Sequence, residues 1–402
     1  MKDAREQRGL EIAALARIEK QDGHYLVPSQ FNPRQTKYKV NYGDKPTCTC
    51  PDHETRGCRC KHIFAVQFVI QREQNTDGSE TVTESITVTK TRKTYPQDWP
   101  AYNAAQTTEK RQFQTLLANL CKGVVTPAQS GRGQRRLPLS DAIFCAVFKV
   151  YSTLSARRFT SDLCDAQAKG HIAKVPHFNS VLNYLENPDL YPLLLSMIEQ
   201  TSLPLRSVET DFAVDSTGFT ACRFVRWYDV KYNRFTAEQQ WVKAHICTGV
   251  KTNVVTAIEI HGRDANDGPI LPSLVDSTAK NFKMLEVSAD KGYSGRDCHD
   301  AIAKVGATPF IAFKANTTGG VGGLFEKMFH YFQFKKDEFL AHYHKRSNVE
   351  STVMMIKTKF GDSVRSKTDV AARNEVLAKV LCHNICCLIS AIHELGIEPT
   401  FG

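Results

Sequence analysis

The sequence predicts an α/β fold: a mixed sheet flanked by helices, preceded by a helical domain and by a small cysteine-rich domain at the amino terminus. Three observations carry this. Between residues 207 and 314, apolar β-branched runs and helical runs follow one another in the order β-β-β-α-β-α-β. From Ala101 to Glu186 the apolar residues recur at helical spacing instead. Near the start, Cys48, Cys50, Cys60 and His62 crowd into a short stretch.

The totals set the class. A chain of 402 residues, 42% apolar and 23% charged, is that of a soluble globular protein with two or three domains. Its net charge of +10 points to a polyanionic partner, with nucleic acid favoured. Thirteen cysteines, an odd number, follow a charged start, Met1-Lys2-Asp3-Ala4-Arg5, which is no signal peptide. A reducing compartment with free thiols is expected. The most apolar long run, Val380 to Leu395, is interrupted by His383, Asn384, His393 and Glu394, so it reads as a core helix and no membrane partner is expected.

Residues 1–73 form the first domain. Strand-like runs at His24–Val27 and Lys37–Tyr42 are divided by a turn at Asn32-Pro33. Paired thiolates at Cys48 and Cys50, followed by Cys60 and His62 at a helix start, can supply the four ligands of a tetrahedral zinc site. His53 and Cys58 lie in the same loop and compete as ligands. The C-x-C…C-x-H pattern resembles the SWIM zinc finger over residues 24–72. That resemblance implies bound Zn²⁺ holding a domain with little core of its own, used for DNA or protein contact.

Residues 74–96 are rich in Ser and Thr and read as a linker with one exposed strand at Ile86–Thr89. Residues 97–205 form the helical domain. Phe113, Leu116, Leu117 and Leu120 mark one helix, a basic hinge spans residues 130–136, and Ser140 reads as the N-cap of a helix running to Tyr151. Further helices are expected over residues 160–168 and 178–186. Short helices with basic connectors suit a helix-turn-helix, with Arg132, Arg135, Arg136, Arg157 and Arg158 as candidate phosphate contacts.

In residues 206–402 the chemistry-bearing side chains are acidic. Asp215 lies near the end of the strand Phe212–Phe219, where α/β sheets place their ligands. Asp211 shares its face and competes, although Gly218 favours Asp215 by opening the strand end. Strands at Trp241–Ile246 and Val254–Ile260 complete an antiparallel meander. Asp264 and Asp267 precede a helix over Pro269–Val275 and read as its caps. A strand ending at Asp290, a helix over residues 296–305 and a strand over residues 309–314 follow.

A late helix closes the pattern. At about 100° per residue, Tyr343, Arg346, Glu350 and Lys357 share an arc of roughly 60°. Val349, Val353, Ile356 and Phe360 share another, about 80° away, so the helix packs one face and presents a carboxylate among cations on the next.

The spacing Tyr-x2-Arg-x3-Glu-x6-Lys resembles the signature of the bacterial insertion-sequence group of DDE transposases named for that motif, and the strand order resembles the RNase H-like fold of those enzymes. The resemblance implies a catalytic triad of Asp215, Asp290 and Glu350, matched in Val-Asp-Ser-Thr-Gly-Phe, Ala-Asp-Lys-Gly-Tyr-Ser and the helical signature. It implies two Mg²⁺ or Mn²⁺ ions on those carboxylates, and Tyr343, Arg346 and Lys357 on the DNA; Lys243 of Trp241-x-Lys243-x-His245 is a second-tier candidate for a DNA or a structural role. His245 reads as structural.

The implied reaction is phosphodiester hydrolysis at transposon ends and strand transfer into target DNA, by a homodimer assembled on DNA, in a bacterial cytoplasm. Only 59 residues separate Asp290 from Glu350, which leaves little room for the β-rich insertion of relatives that resolve ends through a hairpin. A nuclease that stops at hydrolysis and a domesticated DNA-binding protein are the competing readings.

Overall fold

The computed structural model describes residues 4–30, 36–74, 97–126, 137–221, 241–314 and 316–401, in two compact units, Met1–Pro96 and Gln97–Gly402. The expected turn at Asn32-Pro33, the linker with its strand at Ile86–Thr89, and Arg132, Arg135 and Arg136 lie outside the described residues.

In the first unit, α1 (Ala4–Leu15) precedes an antiparallel sheet of β1 (Glu19–Gln21), β2 (His24–Pro28), β3 (Lys37–Asn41) and β4 (Thr47–Cys48). The short α2 (Pro51–Arg56) and then α3 (Lys61–Gln74) follow. Helices α1 and α3 cross so closely that a Cβ on Gly9 would lie 2.5 Å from that of Phe64, so only glycine fits there. The core is small: Val27 and Val40 from the sheet meet Ile63 and Val66 from α3, and three cysteines complete it.

The second unit opens with α4 (Trp99–Lys122), α5 (Leu139–Ser152), α6 (Ala156–Ala168), α7 (Phe178–Leu185) and α8 (Leu190–Ser202). Asp98 caps α4 through the Ala101 N–H at 3.1 Å. The cap expected at Ser140 is corrected. Pro138 holds that position, because its ψ of 142° is extended and the helix starts at Leu139, leaving Ser140 inside the first turn. Arg157 lies 4.8 Å over the Phe178 ring and ties α6 to α7.

The sheet of this unit has the order β7-β6-β5-β8-β9. Its strands are β5 (Asp211–Thr220), β6 (Trp241–Gly249), β7 (Val255–His261), β8 (Glu286–Ala289) and β9 (Thr308–Ile311). The first three pair antiparallel as the meander requires, and β5, β8 and β9 run parallel. One face is covered by α9 (Leu271–Ala279) and α10 (Arg296–Lys304), which bury Phe212, Val214, Val287 and Ala289. After α11 (Gly323–Phe334) and α12 (Lys336–Tyr343) come α13 (Ser347–Phe360) and α14 (Asp369–Leu395), whose apolar residues share a core with Ala213, Ala244 and Ile258 on the opposite face. Between Asp290 and Glu350, the described residues hold one strand, β9.

By length and composition α14 could cross a membrane, yet 78% of its most apolar window is buried inside the protein. Its Asn384 replaces a missing neighbour for the edge strand β7. The side chain accepts from Val255 N–H at 2.9 Å and donates to Val255 C=O at 2.8 Å.

Candidate active site

Alternation along β5 decides where its carboxylate goes. Phe212 and Val214 face α9 and α10, so Ala213 and Asp215 belong to the face that α13 covers. In the parallel pairing Val214 lies opposite Ala289, which makes Asp215 and Asp290 the next residues on neighbouring strands. Adjacent strands are about 4.8 Å apart.

The third carboxylate comes from α13. Glu350 accepts from Arg346 at 2.6 Å, and the same guanidinium reaches Asp215 at 3.6 Å, so one cation bridges the first and third acids. Burial raises the Asp215 pKa above the ordinary carboxylate value, and the charges of Asp290 and Glu350 add to the rise. The Ser216 N–H, 2.8 Å from Oδ1, and Arg346 oppose it. The pocket holds more negative charge than one arginine offsets.

The helical phase expected from Tyr343 onward is corrected. Helix α12 ends at Tyr343, a 3₁₀ turn spans His344–Arg346, and α13 begins at Ser347. The break has a cause in Lys345, whose ammonium lies 2.7 Å from both Asp211 and Glu286 at the starts of β5 and β8. Arg346 still lies 5.8 Å over the Tyr343 ring, and burial raises the Tyr343 pKa. Lys357 is 5.4 Å from the Phe219 ring, and burial lowers its pKa. Asp211, with its carboxylate on Lys345, is removed from the Asp215 end of the strand.

The cap expected at Asp267 is corrected. Asp267 does not cap the following turn with its side chain; its Oδ1 lies 2.7 Å from the Lys243 ammonium, which also donates to Ala265 C=O at 2.8 Å. Lys243 is thereby paired with a carboxylate of its own unit. Asp264 is exposed beside Arg263.

The Asp267 pair backs the turn that follows Asp290. A Cβ on Gly292 would meet Asp267 Oδ2 at 3.2 Å, and the buried His245 lies 3.4 Å from Tyr293 Oη and 3.7 Å from Asp267. Burial pushes the His245 pKa down to about 4. Neither this cluster nor the one on Lys345 has a local signal in the sequence, since each joins residues far apart in the chain.

Residues 206–385 match the transposase DDE domain family. The matched span runs from just before β5 into α14 and includes Asp215, Asp290 and Glu350. It supports a DDE transposase. A search of curated proteins gave no match. Among solved structures, a piggyBac transposase synaptic complex with hairpin DNA aligns at 10% identity and a TM-score of 0.36, over 74% of this chain and 77% of that one.

Outside the matched span, the first unit brings Cys48, Cys50, Cys60 and His62 together. All four are buried, and their ligand atoms lie within 4.8 Å of one another. His62 Nδ1 is 3.8 Å from Cys48 Sγ and 3.9 Å from Cys60 Sγ. Tetrahedral bonds of about 2.0–2.3 Å place ligands roughly 3.5–3.8 Å apart, so the cluster has the size of a metal site. Hydrogen bonding from Cys48 pushes the Cys60 pKa down to about 3 and Cys48 rises in return. His53 and Cys58 bond each other, Nδ1 to C=O at 2.7 Å, and stay out of the cluster.

Proposed function

We propose that this chain is a DNA transposase that hydrolyses phosphodiesters at the ends of a mobile element and joins the freed 3′-OH to target DNA. The observation that carries the reading is the β5–β8 register, which sets Asp215 beside Asp290 while Arg346 links Asp215 to Glu350. Hard carboxylate oxygens in excess of the local cations are a donor set for Mg²⁺ or Mn²⁺. Two such ions on Asp215, Asp290 and Glu350 would supply charge stabilisation at the attacking and leaving oxygens of an in-line displacement.

The chain's own groups do the rest. Asp215 and Asp290 are held by backbone pairing and by the turn after β8, and Glu350 approaches from a helix whose packing face is separate. Arg346 and Lys357 hold the phosphates beside the scissile bond, with Tyr343 against the sugar or base. Two copies act together, one on each end. In the first unit, Zn²⁺ on Cys48, Cys50, Cys60 and His62 holds a SWIM-like finger, and the size of the cluster supports it.

The test uses duplex DNA carrying the inverted repeats that flank the coding region, incubated with Mg²⁺ and a target plasmid. Joined products are expected, and Asp290→Ala abolishes both nicking and joining while leaving DNA binding intact. Nicks without joined products would reduce the protein to a nuclease; an equally active Asp290→Ala variant would remove the triad.

A further inference from the structure

Between α5, α7, α14 and the loop after α13 lies a cavity of about 80 Å³, lined by Lys149, Arg365, Ser366, Glu375 and Lys379 among others. Space of this size holds several waters or one small polyatomic ion. Lys149 is 7% exposed and lines this cavity, and among the described residues its ammonium makes no ion pair. Lysine is almost never buried unpaired.

The charge of Glu375 favours the protonated ammonium, against burial and Arg365. Glu375 is engaged elsewhere: Arg365 N–H lies 3.0 Å from each carboxylate oxygen, and the Ser366 N–H and hydroxyl approach at 2.9 and 2.7 Å. Lys379 donates to Gly361 and Ser363 carbonyls at 3.0 and 2.7 Å and lies 3.7 Å from Glu375, so that carboxylate already has its own cation. The Arg365 guanidinium uses Nη1 on the Thr153 and Leu154 carbonyls; burial, and after it the Arg365 charge, lower the Lys149 pKa. Three basic side chains and one carboxylate therefore line one cavity.

We infer that this cavity is a phosphate-binding socket, in which Lys149 and Arg365 grip a tetrahedral phosphate group outside the carboxylate site. The ligand is a phosphate oxyanion, either free in solution or carried on a DNA backbone. The socket does not depend on the transposase reading, because none of its residues belongs to the carboxylate site.

The experiment is calorimetric titration of the full chain with inorganic phosphate at constant ionic strength, without added divalent cations and with chloride as the reference anion. Saturable one-to-one binding is expected, weakened at least about tenfold in Lys149→Met, the loss of one charge-assisted hydrogen bond, and retained in Lys149→Arg. Repeating the titration on protein saturated with a short duplex separates the sources: lost phosphate binding identifies a backbone phosphate, and unchanged binding a free anion. Absence of saturable binding to the wild-type protein overturns the socket, as does a folded Lys149→Met protein with wild-type affinity. Should Lys149→Met fail to fold, the wild-type and Lys149→Arg titrations decide alone.

Discussion

Replacing Lys243 by Met separates two roles for one cation. As a DNA contact, Lys243 would neutralise a phosphate, and its loss would lower the slope of log K against log salt by about 0.9. As the partner of Asp267 it would leave that slope unchanged and cost stability. The contact is short, 2.7 Å, and the two side chains are 21% and 28% exposed, between a solvated pair and a buried one. Exposed pairs contribute roughly 0–1 kcal/mol and breaking buried ones costs about 3–5, so a loss of about 1–3 kcal/mol is expected. Urea unfolding supplies the stability, and DNA affinity at several salt concentrations supplies the slope. Asp267→Asn in the Lys243→Met background should recover part of the loss, because no uncompensated charge then remains. A salt slope reduced by about one with stability unchanged to within about 0.5 kcal/mol would refute the internal pairing and return Lys243 to the DNA.

Three further outcomes are expected. Burial pushes the pKa values of His245 and His383 down to about 4, so both stay neutral in the folded state and take up protons on unfolding. Their contribution is whole above pH 6.5 and is lost as pH falls towards 4, at up to about 1.4 kcal/mol per pH unit each. Urea unfolding of His245→Gln should show a shallower loss between pH 6.5 and 4.5, and an unchanged pH dependence would contradict the neutral, buried ring. Asn384→Ala strands the Val255 N–H and C=O at the sheet edge and should cost about 3 kcal/mol, with faster hydrogen exchange at the Val255 amide; exchange at the wild-type rate would count against the bridge. A strong zinc chelator should strip exchange protection from residues 36–70, and protection that survives chelation would deny the metal a structural role.

The contrast between what was and was not legible in the sequence follows the range of the interactions. Strands β5 to β9 were legible because burial on a sheet imposes a period of two or a short apolar run, and each run carries its own evidence. The boundaries slipped where packing takes over: the last strand stops at Ile311 instead of residue 314. Asp267 was misread because capping is a local rule, an aspartate before a helix, whereas its partner Lys243 sits 24 residues earlier on a strand that only the fold brings near. The break at His344–Arg346 was invisible for the same reason, since the acids that hold Lys345 lie on β5 and β8.

The position of the carboxylates depends on residues that take no part in chemistry. Phe212, Val214, Val287 and Ala289 face α9 and α10, and the period of two then assigns Asp215 to the other side. A one-residue slip of β5 against β8 would send Phe212 and Val214 towards α13 and Asp215 into the apolar layer. That exchange would bury a carboxylate without a partner, which costs several kcal/mol, and it would expose two large apolar groups. The register is therefore held by the hydrophobic pattern, and the pairing of Asp215 with Asp290 is a consequence of core packing before it is a feature of any active site.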